Sequence, residues 1–315
     1  MIRADRKKMK KRKKWPWIVA VIFLIIGGLA FNVYIDLTST LKGMYKPIER
    51  ELSGKREEKI VLKKQDPFSV LVLGVDEREG DKGRSDTMIV MAVNPRLKMT
   101  KMVSIPRDTY TEIVGHGTQD KLNHAYAFGG IQMSMASVEN LFDIPIDYVV
   151  EVNMEGFQTI VDAVGGVKVN NPFDFTQDSI HFKAGEITLT GKEALSYVRM
   201  RKEDPNGDFG RQDRQKQVIE GVLDEGTSIK SLLNYRTVFN SLGDNVRTNM
   251  TFEEMVDVQK NYREAAGKVE QMHFEKGLGK RLNGGIWYYM MDEKELEYMK
   301  STLKQHLELN VAVEE

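Results

Sequence analysis

The stretch that decides the fold is TMIVMAVNPRLKMTKMVS, residues 87–104. It contains two apolar runs, Thr87–Val93 and Met99–Ser104, on either side of a turn with the sequence Asn-Pro-Arg at residues 94–96. Apolar runs rich in β-formers that flank a Pro-containing turn predict two antiparallel strands joined in a hairpin. A third run of the same kind, Phe68–Leu73, precedes them. The sequence therefore predicts a sheet that begins with three strands.

Helical patterns and further strand-like runs alternate along the rest of the chain. Helices are predicted at residues 131–142, 155–164, 190–198, 229–242, 251–267 and from 292 onward, and strands at 148–152 and 269–274. The patterns T-x-x-E at Thr190 and Thr251 and D-x-x-E at Asp292 mark helix starts. Strands interleaved with helices predict a layered α/β domain, and the early hairpin makes its sheet mixed.

The formal net charge is zero, with 46 basic and 46 acidic side chains, which argues against a nucleic-acid binder. The balance hides an asymmetry, because residues 1–14 hold nine basic side chains and one acidic side chain. A basic tail of this kind predicts a partner of its own, here the anionic lipid of a membrane. The chain has no Cys. This excludes disulfides, thiolate metal sites and Cys nucleophiles.

Residues 15–35 carry no charged side chain. As a helix they would extend ~31 Å, enough to cross a hydrocarbon core of ~30 Å. The preceding basic run predicts a single-pass type II protein of the cell membrane, with its N-terminus cytoplasmic and the rest extracellular. A cleaved signal peptide, with its site at residues 28–30, is the alternative. The predicted organisation is a cytoplasmic tail at 1–14, a signal anchor at 15–35, a stalk at 36–66 and one extracytoplasmic domain at 67–315.

Several common catalytic motifs do not occur in the sequence. It has no GxxxxGK[ST], GxGxxG, GxSxG or HExxH, and its five His residues form no metal-ligand pattern. ATP hydrolysis, nicotinamide chemistry, serine hydrolysis and zinc-peptidase chemistry therefore lack support. Carboxylates and arginines remain as the candidate functional groups.

The first cluster of these groups follows the predicted strands. Asp76 lies after the first strand, Arg84 and Asp86 lie before the second, and Arg107 follows the third. If the strands are neighbours, these side chains converge at one edge of the sheet. Two carboxylates beside a phosphate group make a suitable Mg²⁺ site. The alternative is a set of loop-surface acids in ordinary salt bridges.

The second cluster is VRMRKEDPNGDFGRQDRQ, residues 198–215. Arg199 and Arg201 are two residues apart, so they would point to the same side of an extended segment. A following helix would carry three side chains on one face: Arg211, Arg214 and Gln215. Arginines in such numbers favour bidentate recognition of phosphate. An N-cap role for Asp208 and a solvated helix face are the alternatives.

Two predicted helices, at 131–142 and 229–242, are strongly apolar. Core packing is the default explanation. An apolar groove beside an arginine cluster would also suit a lipid pyrophosphate.

Five ordered motifs, SDTMIVMAVNP, SIPRDT, KLNHAYAFGG, VDAVGGVKV and VRMR…DFGRQDRQ, resemble the LytR-CpsA-Psr family of cell-wall glycopolymer transferases over about residues 68–225. The resemblance implies an α/β/α sandwich with a mixed central β-sheet and a lipid pocket. It also implies a phosphotransferase that moves an anionic glycopolymer, wall teichoic acid, from a polyprenyl pyrophosphate carrier to the C6 hydroxyl of N-acetylmuramic acid in peptidoglycan. A cell-wall synthesis complex is a further implied partner.

The resemblance also implies roles for individual residues. Asp76 and Asp86 would hold Mg²⁺, with Mn²⁺ as a substitute. The pyrophosphate would be bound by Arg84, Arg107, Lys121, Arg199, Arg201, Arg211 and Gln215. The candidate catalytic residues are Arg107, Asp208 and Arg211, with Asp208 acting as a base or as a positioner of arginine side chains.

Two other functions compete with the transferase. A polyprenyl-pyrophosphate hydrolase would use the same metal and arginine site with water as the acceptor. A membrane-anchored regulator or adaptor of envelope assembly is the other. A transcriptional role is disfavoured, because the 14 residues that precede the predicted anchor are too few for a helix-turn-helix.

Overall fold

The computed structural model describes residues 53–76, 83–226, 245–282 and 284–309. Within these residues the central sheet has six strands. In spatial order they are β11 (Val246–Thr248), β6 (Tyr148–Asn153), β1 (Phe68–Val75), β2 (Ser85–Asn94), β3 (Met99–Ser104) and β12 (Val269–Met272). Strand β1 pairs antiparallel with β2 and parallel with β6, and β3 pairs antiparallel with β2 and parallel with β12. This confirms the predicted α/β fold with a mixed central sheet.

The predicted hairpin forms the middle of this sheet, with Asn94 opposite Met99. The side-chain oxygen of Asn94 accepts hydrogen bonds from the backbone N–H groups of Arg96 and Leu97, at 2.9 and 3.0 Å. Such a local bond is the reason that Asn favours turns. Lys98 closes the turn at φ +52°, in the left-handed region.

Seven α-helices surround the sheet in the described residues. They are α1 (His124–Phe142), α2 (Met154–Ala163), α3 (Gly191–Arg199), α4 (Asp208–Gly226), α5 (Phe252–Asn261), α6 (Arg263–Ala266) and α7 (Glu293–His306), and a short 3₁₀ helix spans Leu62–Lys64. Both predicted capping boxes are present, at Thr190 and Thr251. The helix predicted over 251–267 is wrong in extent, because it breaks at Tyr262 into α5 and α6. The helix predicted at 229–242 lies outside the described residues.

Helix α1 begins seven residues before its predicted start. Gly129 and Gly130 have non-helical backbone angles, and Gly130 lies at φ +63°, so the helix kinks there. The prediction of a helix from Ile131 therefore captured the part of α1 that follows the kink.

Four two-stranded ribbons complete the fold, and the sequence patterns predict none of them. They are β4 (Tyr110–Ile113) with β5 (Thr118–Lys121), β7 (Val167–Asn171) with β10 (Gly185–Leu189), β8 (Phe175–Gln177) with β9 (Ile180–Phe182), and β13 (Leu278–Leu282) with β14 (Ile286–Met290).

Both faces of the central sheet are covered by helices. Leu71 and Leu73 of β1 pack in a cluster with residues of α1 and α7. Phe68 and Val70 belong to a cluster on the other face, with residues of α5 and α6. Strands buried on both faces have nearly continuous apolar sequences, which is why the runs in β1 and β2 were easy to recognise. A third cluster, around Tyr197, joins α3 and α4 to the ribbons at residues 167–189.

The predicted stalk at 36–66 is described from residue 53, and this part lies against the domain. The Ser53 hydroxyl donates to the Glu139 carboxylate at 2.6 Å, the Arg56 guanidinium donates to Asp147 at 2.7 Å, and Leu62 is buried. The predicted tail at 1–14 and anchor at 15–35 lie outside the described residues. In the part of the chain that the structure describes, no helix is both long enough and apolar enough to cross a membrane.

Candidate functional site

A cavity of about 620 Å³ lies between the central sheet and helices α2, α3 and α4. Most of its wall is aliphatic or aromatic, supplied by Val72, Val150, Val152, Phe157, Ile160, Val161, Leu195, Val198, Val218, Ile219, Val222 and Leu223. Its polar lining consists mainly of Asp76, Asp86, Thr87, Arg107, Asn153, Arg199, Arg201, Arg211 and Gln215. The volume and the largely apolar wall are typical of a ligand site.

The polar side chains on the sheet side of the cavity come from the end of β1, from the start of β2 and from the segment after β3. Val75 pairs with Ser85, so Asp76 and Asp86 lie near each other, as the sequence analysis expected if the strands are neighbours. The guanidinium of Arg107 donates to the Asp86 carboxylate at 2.9 Å. Burial works against the charge of Arg107, but Asp86, Asp108 and Asp208 outweigh burial and raise its pKa above the ordinary value. Arg107 is therefore a fixed positive charge.

The side chains from α3 and α4 complete the polar lining. Arg199 and Arg201 both line the cavity and both are exposed. The extended segment predicted for them does not include Arg199, because this residue is the last of α3; Met200 after it has φ −59° and ψ 131°. Arg211 lies one turn before Gln215 on α4, and the Gln215 amide donates to the Thr87 hydroxyl at 2.9 Å. This bond ties α4 to the sheet at the site.

Arg214 does not share the site, and its prediction on one face with Arg211 and Gln215 is wrong. Its guanidinium is 2% exposed and donates to the Asp204 carboxylate at 2.5 Å and to the carbonyls of Tyr197 and Met200 at 3.0 and 2.5 Å. Residues at i+3 and i+4 lie on opposite sides of residue i around a helix, about 100° apart. Arg214 therefore faces the core while Gln215 faces the cavity.

Asp208 is the first residue of α4 and lies outside the described cavity wall. Its carboxylate binds the guanidinium of Arg211. Its two carboxylate oxygens accept from Nε and Nη2 of Arg211, at 2.9 and 3.2 Å. Burial would raise the pKa of Asp208. The hydrogen bonds and charge of Arg211, helped by the charge of Arg107, outweigh burial and hold that pKa below the ordinary carboxyl value. A carboxylate engaged in this way is a weak base and a good positioner of arginine.

Lys121 and Arg84 stand apart from the other predicted site residues, because the described cavity wall includes neither. The Lys121 ammonium donates to the Asp108 carboxylate at 2.6 Å, and Asp108 in turn lies 3.7 Å from Arg107. Lys121 therefore acts on the site through Asp108. The Arg84 side chain is exposed, and its carbonyl accepts from the backbone N–H of Asp76 at 3.4 Å.

Asp76 and Asp86 are the candidate metal ligands. No group of three or more His, Asp or Glu side chains suited to a metal ion occurs within residues 53–76, 83–226, 245–282 and 284–309. Mg²⁺ keeps several waters and is commonly held by one or two carboxylates together with substrate phosphates. Two carboxylates beside an arginine cluster fit that donor set in number and in type.

Comparisons with known proteins identify relatives of this chain. TagU of Bacillus subtilis (strain 168), named polyisoprenyl-teichoic acid–peptidoglycan teichoic acid transferase, is 49% identical over 309 residues, which cover 98% of this chain and 100% of the relative. The crystal structure of B. subtilis TagU superimposes with a TM-score of 0.63 at 50% identity, covering 78% of this chain and 99% of that one. A structure of TagT bound to LIIa-WTA gives a TM-score of 0.73 at 32% identity, covering 84% and 100%.

The family comparison covers most of the chain. The model of the LytR_cpsA_psr family matches residues 31–305, which include all the elements of the central sheet and all ten predicted site residues. Together with relatives that are half identical over nearly their whole length, this match shows that the chain belongs to the LytR_cpsA_psr family.

Proposed function

We propose that this protein is a phosphotransferase that moves wall teichoic acid, an anionic glycopolymer, from a polyprenyl pyrophosphate carrier to peptidoglycan. The observation that carries the proposal is a cavity whose wall is apolar over most of its area and is lined on one side by arginines and carboxylates. The apolar part matches a polyprenyl chain, and the arginines match a pyrophosphate. Relatives that are 49% identical carry the name of this activity.

The four arginines that line the cavity would bind the phosphate oxygens of the donor. These arginines are Arg107, Arg199, Arg201 and Arg211. Asp86 fixes Arg107, and Asp208 fixes Arg211 through two hydrogen bonds. Charges that are held in place before the reaction stabilise the transition state without reorganisation, which is the main source of catalysis in phosphoryl transfer.

The reaction balances without a nucleotide. The C6 hydroxyl oxygen of an N-acetylmuramic acid residue forms a bond to the phosphorus that carries the polymer, and the bond from that phosphorus to the bridging oxygen of the pyrophosphate breaks. Polyprenyl phosphate leaves with the bridging oxygen. The hydroxyl proton passes to solvent or to a phosphate oxygen, and Asp208, whose carboxylate is engaged by Arg211, positions that arginine.

We propose that Mg²⁺ binds to Asp76 and Asp86, with Mn²⁺ as a substitute. When bound, the ion would neutralise part of the negative charge on the pyrophosphate. We also propose that residues 15–35 anchor the chain in the cell membrane, where the lipid-linked donor resides, with a cell-wall synthesis complex as a further partner. Nucleic acid has no role in this proposal.

The test is reconstitution of the full chain in lipid vesicles with a lipid-pyrophosphate-linked glycopolymer, peptidoglycan, and Mg²⁺ either present or chelated. Polymer should appear on peptidoglycan, and Arg107→Ala should abolish most of this transfer. Arg96→Ala is the matched control, since Arg96 pairs with Asp66 on the surface outside the cavity. Release of free polymer with no transfer would assign hydrolysis instead, and equal rates for wild type and Arg107→Ala would refute the site.

A further inference from the structure

In the ribbon formed by β13 and β14, the side chain of Trp287 packs over a glycine of the neighbouring strand. Gly279 lies diagonally across from Trp287, and a Cβ atom at Gly279 would come within 2.6 Å of the indole nitrogen. Tyr289 covers Gly277 in the same way, at 2.1 Å. The indole therefore packs against the backbone of β13, and Trp287 is still 42% exposed. An aromatic ring that packs against backbone on one side and is exposed to solvent on the other is suited to binding a partner.

This platform lies beside the site and not at a distance from it. The backbone N–H of Tyr289 donates to the carbonyl of Asp108 at 2.9 Å, and Thr109 bridges to Tyr289, so the ribbon is attached to the segment that carries Arg107. From the other direction, Phe209 packs edge-on against Tyr289 with ring centroids 6.0 Å apart. Phe209 follows Asp208 in the chain and is 40% exposed.

The exposed rings of Phe209 and Trp287, with the covered ring of Tyr289 between them, form what we call the aromatic strip. Tyr289 and Trp287 are two residues apart on β14, so they lie on one face of the ribbon. The strip thus runs from the start of α4, where Arg211 is held, along the outer ribbon. It is separate from the cavity, whose described wall includes none of these three residues.

Residues 276–286 contain Lys276, Lys280 and Arg281 and no acidic residue. Lys280 lies opposite Tyr288, so its side chain lies on the other face of the ribbon from Trp287. Arg281 pairs with Trp287 across the two strands, so the two side chains lie on the same face. An occupant of the strip would therefore combine flat apolar faces with negative charge.

We propose that the aromatic strip binds the acceptor, an anionic glycan strand of linked pyranose rings. Pyranoses present C–H faces that stack on aromatic rings, and the carboxylates of muramic acid and its peptides match the guanidinium of Arg281 beside Trp287. A teichoic acid of the polyol phosphate type supplies negative charge but few such faces, which is why the acceptor fits better than the donor polymer. The proposal rests on the proposed transferase function, because it assigns that reaction's second substrate.

The variants Trp287→Ala and Phe209→Ala, in the full chain in nanodiscs, test the strip. The affinity for soluble, undecorated glycan strands is measured by calorimetry without donor, and the KM for the same strands is measured with donor at saturation. Loss of one stacking ring should weaken both about tenfold. The KM for the donor should stay within about twofold, and Trp287→Phe should recover most of the affinity because it keeps a ring. Tyr298→Ala is the matched control, since Tyr298 is 62% exposed on α7.

The binding measurement needs no donor, so it separates this proposal from the transferase function. If wild type binds the strands and Trp287→Ala does not, the strip is the glycan site, even if no transfer is seen. If Trp287→Ala and Phe209→Ala bind the strands as wild type does, the proposal is wrong. It is equally wrong if these variants lose affinity for free teichoic acid or for anionic lipid vesicles while glycan binding is unchanged.

Discussion

Arg211 and Arg214 lie one turn apart on α4, and replacing each by Met should separate a functional arginine from a structural one. Arg214→Met would leave the Asp204 carboxylate, 2% exposed, without its cation and the carbonyls of Tyr197 and Met200 without their donor. Breaking a buried ion pair by removing one partner costs about 3–5 kcal/mol. For a domain of this size that corresponds to a fall of about 6–20 °C in Tm.

Arg211→Met should behave in the opposite way. The side chain of its partner, Asp208, is 34% exposed and can be rehydrated, so the loss of stability should be about 1 kcal/mol. Transfer activity should fall about 10²–10³-fold, because a charge aimed at the phosphates is lost.

Differential scanning calorimetry and the reconstituted transfer assay, run on both variants, check this pair. A second-site variant sharpens the result, since Asp204→Leu added to Arg214→Met removes the orphaned charge and should recover much of the lost stability. If Arg214→Met melts within about 3 °C of wild type, the ion pair does not hold this turn. If Arg211→Met keeps wild-type activity, the assignment of Arg211 to the pyrophosphate is wrong.

Arg107→Ala and Asp86→Ala should each lower the transfer rate about 10²–10³-fold with the Tm nearly unchanged, as single-turnover kinetics would show. Burial lowers the pKa of Lys216 to about 8 from 10.5, so the unfolded chain binds more protons than the folded chain between these values. The free energy of unfolding should therefore rise by about 1.5 kcal/mol from pH 8 to 9.5, and urea titrations of Lys216→Met should lack this rise. Gly191→Ala should destabilise the fold by about 1–3 kcal/mol, because its Cβ would come within 2.2 Å of a carbonyl oxygen in α2, whereas Gly267→Ala, with 3.9 Å of room, should melt as wild type does.

The hairpin, and the convergence of site residues at one edge of the sheet, could be predicted from the sequence, because the turn residues and the apolar strand patterns indicate the same structure there. The apolar runs of β1 to β3 are long, and Asn94 specifies the turn between the last two with its own side chain. Once the register is set, Asp76, Asp86 and Arg107 must lie at one edge. Their convergence is a property of the hairpin and required no knowledge of the helices.

Which face of α4 is buried could not be predicted from the sequence in the same way. Helical periodicity gives the angle between Arg211, Arg214 and Gln215, but it does not say which of them faces the core. That depends on Asp204 in the preceding loop and on two carbonyls at the end of α3, which the pattern within α4 does not reveal. The β13–β14 ribbon was missed for a related reason, because Gly277 and Gly279 break the alternation that marks a strand.

The carboxylates near the site explain how a chain with no net charge concentrates positive charge where phosphate would bind. Asp86 holds Arg107, Asp208 holds Arg211, and Asp204 holds Arg214 beneath them. Each acid neutralises an arginine in the resting protein and fixes its direction, and a doubly charged pyrophosphate can then compete for the remaining N–H donors of Arg107 and Arg211. Since Asp208 serves as the partner of Arg211 and its pKa lies below the ordinary carboxyl value, activity should fail in acid, where this ion pair breaks, and not at the titration of a free catalytic base. The low pKa of Asp208 has the same origin, which favours electrostatic positioning over proton abstraction as the main contribution of this site.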